Sequence, residues 1–164
     1  MSIQHLDPSF FSVTLSMTLG TPLQLKRTIN VKAIVTPTWK QEAQNALQGQ
    51  LGQVDAQIQQ LDLQGQAAIN EIRSQSANPV HPNVLQQIDN IQIQVNQQKT
   101  QLLEQKNQIL QQLQQVQTVN LEEEVNQGQI ESFFELHPGD NLIEKMQVEI
   151  VLRDGVVVEI RGNA

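Results

Sequence analysis

Three histidines are the side chains of this sequence best suited to acid–base or metal chemistry: His5, His81 and His137. A metal site built on a helix usually holds a second ligand one turn away, and a general base needs a partner that orients its ring. We expect none of the three to have an acidic or histidine partner three or four residues further along the chain. We therefore predict surface or turn histidines, with neither a metal site nor a catalytic base.

Acidic side chains gather in the last third of the chain, where carboxylates could hold a divalent cation. The group consists of Glu122, Glu123, Glu124, Glu131 and Glu135. Consecutive residues point in different directions on a strand or a helix, and the spacing of a calcium-binding loop is missing. These glutamates are predicted to form a solvated acidic face, which would also discourage pairing between sheet edges.

Other catalytic signatures are missing from the sequence as well. The chain has no cysteine, so thiolate catalysis, disulfides and cysteine zinc sites are unavailable. It contains neither a glycine-rich phosphate loop nor the G-x-S-x-G pattern of a serine nucleophile. We predict no catalytic residue, no cofactor and no metal, and therefore a protein that is not an enzyme.

Basic side chains suggest one binding surface, for an anionic ligand or RNA. The candidates are Lys26, Arg27, Lys32 and Lys40. No aromatic residue lies among them to stack on bases, and an overall charge of −7 opposes nucleic-acid binding. The favoured interpretation is ion pairing within the sheet or between subunits. The expected carboxylate partners are Glu131, Glu149 and Glu159.

Two further features could contact a protein partner. One is Trp39, the only tryptophan, which is expected either to pack in the protein or to anchor a partner. The other is a proline-containing loop whose candidate contact residues are Asn78, Pro79, Val80 and His81. A loop with limited conformational freedom loses less entropy when it binds. We predict that this loop is the tip of a helical hairpin.

Apolar residues recur at helical spacing on both sides of that loop. The first run is Leu47, Leu51, Val54, Ile58, Leu61, Gly65, Ala68 and Ile72; the second is Val84, Ile88, Ile91, Val95, Leu102, Lys106, Ile109, Leu113 and Val116. Such heptad spacing is typical of a coiled coil, and a break near Gln98–Lys106 indicates a stutter. Thr36 and Pro37 mark a helix start. The sequence predicts an antiparallel coiled-coil hairpin over residues 37–118, with its tip at 74–83.

The flanking regions alternate apolar and polar residues, which is typical of half-buried strands. The first predicted strand lies within residues 23–36, and the remaining strands lie within residues 119–164. Asp154-Gly155 separates two alternating runs and predicts a tight β-hairpin. The runs are Val148, Ile150 and Leu152 on one side and Val156, Val158 and Ile160 on the other.

Composition supports this division of the chain. Most glutamines lie between Gln41 and Gln117, on the predicted helices, and aromatic residues make up only 3% of the sequence. Residues 1–22 are interpreted as a flexible tail, with Met17 an alternative start. The mildly apolar residues 9–22 are too short and too rich in hydroxyl groups to cross a membrane. We expect a cytoplasmic protein.

Two segments resemble the YlqD family of small uncharacterised bacterial proteins, in its cyanobacterial form. They are LKRTINVKAIVTPTWK at residues 25–40 and GDNLIEKMQVEIVLRDGVVVEIR at residues 139–161. The resemblance spans most of the chain after the tail and implies no catalytic residues. The genomic setting of some members is similar to that of ribosome-maturation factors, so the resemblance implies a link to the ribosome by association only.

The sequence therefore predicts an α+β fold, in which a long antiparallel coiled-coil hairpin is inserted into a small antiparallel β-module. We expect a homo-oligomeric interaction protein, either an assembly scaffold or a chaperone-like adaptor, that contacts protein partners through the arm and the β-base. The alternative is an RNA- or ribosome-associated factor that uses the basic residues. Salt-sensitive RNA binding that is lost on charge reversal would favour this alternative.

Overall fold

The computed structural model describes residues 20–162, so the predicted tail lies outside the described residues apart from 20–22. Seven elements follow one another along the chain: β1 (Leu23–Ile34), α1 (Pro37–Ser74), α2 (Pro82–Thr118), β2 (Glu124–Leu136), α3 (Leu142–Met146), β3 (Glu149–Arg153) and β4 (Val156–Arg161). They form two compact units, one of residues 20–36 and 121–162 and the other of residues 37–120. The predicted α+β class is confirmed.

The helical unit is a hairpin of two long helices, as predicted. Each helix begins at a proline, where the missing backbone N–H is not needed. At the start of α2, His81 Nδ1 accepts a hydrogen bond from the backbone N–H of Asn83 at 3.2 Å. At the open end of the hairpin, Lys40 Nζ donates to the last-turn carbonyl of Gln117 at 3.1 Å. Polar groups therefore close both ends of α2.

The two helices pack along a narrow seam, but its phase differs from the prediction at one level. Ile69 is buried, whereas Ala68, the predicted seam residue, is only half-buried. Leu61, Gly65 and Ile69 are four residues apart, so the stutter also occurs in α1. Its counterpart in α2 is the run Ile91, Val95 and Lys99, slightly earlier than predicted. Because 3.6 residues make one turn, two successive steps of four rotate the seam around the helix.

Two lysines occupy seam positions of α2 and reach carboxylates of α1. Lys99 Nζ lies 2.7 Å from Asp62 Oδ2, and Lys106 Nζ lies 2.6 Å from Asp55 Oδ1. The aspartates are seven residues apart, and so are the lysines. Both ion pairs therefore form only when the helices are aligned in this one register.

The other unit is a four-stranded sheet with the order β2-β1-β3-β4. β1 pairs antiparallel with β2, and β3 pairs antiparallel with β4. The prediction of an antiparallel module is wrong at the central pair, since β1 and β3 are parallel. The reason is the connection through α3, which carries the chain from β2 across to the other side of β1. The strand that follows therefore runs in the direction of β1.

The turn between β3 and β4 is the tight hairpin predicted from Asp154-Gly155. Both residues have positive φ, 49° and 83°, which matches the right-handed twist of the flanking strands. The Asp154 carboxylate also accepts a hydrogen bond from the buried Thr36 hydroxyl, just beyond the end of β1. This bond joins the β3–β4 turn to the end of the central strand.

The core of the sheet lies mainly on one face of β1, where alternate residues are buried. They are Ile29, Val31, Ala33 and Val35, together with Phe134 of β2. The apolar residues of β4 are much more exposed than the alternation of apolar and polar residues predicted. A β-bulge makes Val158 the extra residue, so Val157 rather than Val158 shares a face with Ile160.

Candidate protein-interaction surfaces

β4 is an edge strand that presents apolar side chains to solvent. Its exposed residues are Val156 (66%), Val157 (50%), Val158 (50%) and Ile160 (57%), which we call the β4 edge. An edge strand also presents one row of backbone N–H and C=O groups that no neighbouring strand satisfies. No strand within residues 20–162 pairs with the outer side of β4, so in this part of the chain the β4 edge combines unpaired backbone groups with apolar side chains.

The β4 edge continues the apolar face of the sheet. Two rows of apolar side chains cross from β1 to β4: Val31, Ile150 and Ile160 in one row, and Ala33, Leu152 and Val157 in the other. Residues directly opposite each other in a sheet share a face. Burial declines along both rows, because the β1 members are buried, the β3 members half-buried and the β4 members exposed. The apolar face thus ends uncovered at the edge.

The opposite face of the sheet carries ion pairs. Lys26 pairs with Glu131 at 2.6 Å and Lys32 with Glu149 at 3.3 Å; Arg161 contacts Glu124 at 2.5 Å, Glu159 at 3.1 Å and Glu149 at 3.9 Å. Val151 lies on this face and is almost fully buried, a position that the sequence analysis did not assign to the core. Each of these three basic side chains therefore has a carboxylate partner within the chain, and the carboxylates exceed the basic groups by one.

The three basic candidates of the β unit, Lys26, Arg27 and Lys32, do not form one surface. Arg27 is buried, stacks with its Cζ 4.9 Å from the Phe134 ring centroid and donates to the Lys145 carbonyl oxygen. Because neighbouring residues of a strand point to opposite faces, Arg27 lies on the face opposite Lys26 and cannot join it in an exposed anion-binding surface. Lys26 and Lys32 pair with the expected partners Glu131 and Glu149. The remaining candidate, Lys40, belongs to the helical unit.

Two of the three consecutive glutamates are not simply solvated, in contrast to the prediction. Glu122 accepts hydrogen bonds from Arg153, and Glu124 accepts them from Arg161. These hydrogen bonds lower the pKa of both carboxyl groups below the ordinary value. Glu122 also has a positive φ of 67°, in the turn that leads into β2. The acidic run therefore makes ion pairs within the β unit.

His137 has an acidic partner that the sequence analysis overlooked, although the spacing of three residues was visible. Asp140 Oδ2 lies 3.5 Å from His137 Nδ1 and accepts from the His137 backbone N–H at 2.7 Å. The backbone hydrogen bond, with help from Lys145, lowers the pKa of Asp140. No cluster of three metal-ligating side chains occurs within residues 20–162. The contact closes the turn between β2 and α3.

The predicted tip lies at the end of the helical hairpin. Its four candidate residues, Asn78, Pro79, Val80 and His81, are all exposed, and the Asn78-Pro79 peptide bond is cis. His81 has a structural role as the N-cap of α2, which sequence reasoning had left as a turn histidine. Trp39 lies in the first turn of α1 and is half-buried. The tip and Trp39 are therefore at opposite ends of α1.

The two sides of the helical hairpin differ chemically. Both ion pairs between Asp and Lys lie on one side of the seam. A shallow groove on the other side is lined by Gln57, Gln60, Leu61, Gln64, Gln98, Gln101, Leu102 and Gln105. We call it the glutamine groove. Its glutamine side chains can donate and accept hydrogen bonds but carry no charge.

Comparisons with known proteins identify relatives without a known activity. A family model described as YlqD protein matches residues 23–161. A crystal structure of a protein of unknown function from Synechococcus sp. WH 8102 is 48% identical, with a TM-score of 0.76, and the match covers 86% of this chain and 95% of that chain. The comparison with curated proteins gave no match. Among the helices of residues 20–162, none has the length and hydropathy needed to cross a bilayer.

Proposed function

This chain belongs to the YlqD family, and we propose that it is a non-enzymatic interaction protein of the cytoplasm. It acts as an oligomeric assembly scaffold or a chaperone-like adaptor and binds protein partners through the β unit and the coiled-coil arm. The observation that carries the proposal is the β4 edge. An apolar, unpaired sheet edge is costly to leave open in a folded protein, because it invites association with other chains.

The helical hairpin supports the same proposal. Its outer surface consists largely of uncharged glutamine side chains, and the glutamine groove offers amide groups that match another protein's backbone or amide side chains. The tip adds a compact, exposed contact at the far end of the helices. A partner that binds there would meet few charges, so binding should depend only weakly on salt.

The basic residues give little support to the RNA-associated alternative. Two of them already pair with carboxylates and a third is buried. An RNA partner would have to displace these contacts, and its binding would weaken steeply with salt. We treat RNA association as an outcome that the experiment can reveal.

The proposal is tested by purifying the tagged full-length protein from its source organism, with and without RNase, and identifying co-purifying proteins. Three variants assign the contacts. Val157→Lys with Ile160→Lys alters the β4 edge. Replacing residues 77–81 by a Gly-Ser linker removes the tip. Deleting residues 55–61 together with 100–106 shortens each helix by two turns, about 10 Å, and retains the ion pair between Asp62 and Lys99.

We expect protein partners that survive RNase and high salt, and that are lost or reduced at least tenfold with the β4-edge variant or one of the hairpin variants. A matched control is Ile130→Lys, which places a lysine at an exposed position of the other edge strand and should retain the partners. Partners released by RNase would instead support the RNA-associated alternative. Purification of the chain without any partner, or partners retained by every variant, would contradict the proposal.

A further inference from the structure

The sheet has two edge strands, β2 and β4. β2 is protected against pairing with another chain, whereas β4 is open. β2 carries Glu131 and Glu135, and its pairing with β1 is interrupted by a bulge at Val31/Lys32, opposite Gly128. Glutamates and bulges are devices that prevent an edge strand from pairing with another chain. β4 also has a bulge, at Val158, but Val156–Val158 carries no charged residue and shows only apolar side chains beside its backbone groups.

The chemistry of the β4 edge fits a second copy of the same strand. In a two-fold antiparallel pair of β4 strands, Val157 of each copy lies opposite Ile160 of the other. These side chains are the exposed ends of the two apolar rows, so the pairing continues both rows into the second sheet. The bulge of each strand lies between Val157 and Ile160. The distance between these two residues is therefore the same in both strands, and both contacts between Val157 and Ile160 can form together.

One charge of β4 opposes this pairing, because Glu159 of each copy approaches Glu159 of the other at the centre of the pair. Glu159 and Arg161 lie on the other face of the sheet and contact each other at 3.1 Å, and Arg161 also contacts Glu124. The contact with Arg161 offsets part of the repulsion between the two glutamates. Pairing of β4 with β2 of another copy would instead form an open filament, whereas the two-fold pair of β4 strands closes after two copies.

We propose that two copies of this chain pair antiparallel through β4 and form one continuous eight-stranded sheet. This inference rests on the proposed function, since it names a second copy as the partner of the β4 edge. Two six-residue strands form a contact at the small end of specific interfaces. The dimer should therefore dissociate on dilution, with a dissociation constant on the order of micromolar.

The first test measures the mass of the purified full-length protein by light scattering, over a wide range of concentrations. We expect twice the 18.4 kDa of one chain at high concentration and a shift to one chain on dilution. Val157→Lys with Ile160→Lys should give a monomer with an unchanged circular dichroism spectrum. The control Ile130→Lys should remain dimeric, because residue 130 lies on the same face at comparable exposure, 47% against 57% for Ile160, but on the protected edge.

The second test does not depend on a destabilising substitution. The sequence has no cysteine, so a chain carrying Val157→Cys and Ile160→Cys contains only the two introduced thiols. Directly opposite residues in an antiparallel pair are about 4.5–5.5 Å apart between Cα atoms, within disulfide range. Mild oxidation should convert this variant to a covalent dimer, whereas a chain carrying only Ile130→Cys should stay monomeric on a denaturing gel.

The inference is overturned by a wild-type chain that is monomeric at every concentration, by an oligomer that persists in the lysine double variant, or by an Ile130→Lys variant that is monomeric as well. These results leave the proposed function separable. A monomer whose cellular partners depend on Val157 and Ile160 would contradict self-pairing but support the interaction protein. A dimer without cellular partners would support self-pairing and contradict the proposed function.

Discussion

Gly65 faces Val95 across the helical hairpin, and a Cβ at position 65 would lie 2.8 Å from Val95 Cγ2. A glycine inside a helix ordinarily costs about 1 kcal/mol relative to alanine, because it loses more backbone entropy on folding. Because Gly65 has no side chain, Val95 can pack directly against the backbone of α1. This contact lies where the seam residues Leu61, Gly65 and Ile69 are spaced by four. The helix propensity lost at Gly65 is therefore offset by packing.

A pair of glycine substitutions tests this account. Gly52 has no atom within 4 Å of the position of a Cβ, so Gly52→Ala should stabilise the helical hairpin by about 1 kcal/mol. Gly65→Ala should instead be roughly 1–2 kcal/mol less stable than Gly52→Ala, because the new methyl group overlaps a stiff, branched side chain. The measurement is urea unfolding followed by far-UV circular dichroism.

The control is the background Val95→Ala, in which the space opposite Gly65 is open. Gly65→Ala should there give the same stabilisation as Gly52→Ala. If Gly65→Ala stabilises the wild-type hairpin as much as Gly52→Ala does, the close contact with Val95 has no energetic role.

At the scale of elements, the hairpin register is fixed by more than apolar packing. A seam that contains repeated heptads can shift by seven residues and still bury apolar side chains. A shift of seven residues would retain only one Asp–Lys contact, Asp55 with Lys99 in one direction or Asp62 with Lys106 in the other, and would break the second ion pair. The two ion pairs therefore select one alignment at a small gain in stability, since partly exposed pairs contribute about 0.2–1 kcal/mol.

Exchanging the charges of one pair tests the register. Asp62→Lys and Lys99→Asp should each destabilise the hairpin by about 0.5–1 kcal/mol, since each brings like charges together. The double exchange should recover most of this loss, because an ion pair of opposite orientation forms again. A double-mutant cycle measured by urea unfolding gives the coupling energy. A coupling energy of zero would show that the pair does not contribute to alignment.

The sequence predicted elements whose pattern is local, and it missed those that depend on contacts between distant segments. Helical spacing and the Asp154-Gly155 turn are such local patterns, and the helical hairpin and the tight β-turn that they predicted are confirmed. The parallel pairing of β1 with β3 joins residues more than a hundred positions apart, so no local pattern marks it. The bulge that exchanges Val158 for Val157 on the apolar face depends on the partner strand in the same way.

The candidate surfaces were predictable only in part for the same reason. The tip was visible in the sequence, because prolines and asparagines interrupt two helical patterns. The β4 edge was not, since alternating valines predicted a half-buried strand at no particular place in the sheet, and only the strand order shows that β4 ends the sheet. Arg27 was grouped with the other basic residues by charge, although the alternation along β1 places it on the apolar face with Ile29. Its contacts with Phe134 and the Lys145 carbonyl are visible only in the structure.

At the scale of the whole molecule, the chain combines a sheet that ends in an open apolar edge with a long helical hairpin of low charge. Under the proposed function, both features provide surface for contact with other chains. If β4 strands pair, one assembly carries two helical hairpins and two tips. Each partner could then be bound twice, which raises the effective affinity without new contacts.

The most direct test of assembly through the β4 edge is amide hydrogen exchange, resolved by residue and measured on the full-length protein at two concentrations. In a lone chain, the amides of β4 that face away from β3 exchange rapidly, while those of the central strand β1 are protected. We expect the outward-facing β4 amides to be protected at high concentration and to exchange rapidly after dilution or in the Val157→Lys, Ile160→Lys variant. Rapid exchange of these amides at every concentration, beside a protected β1, would contradict the account.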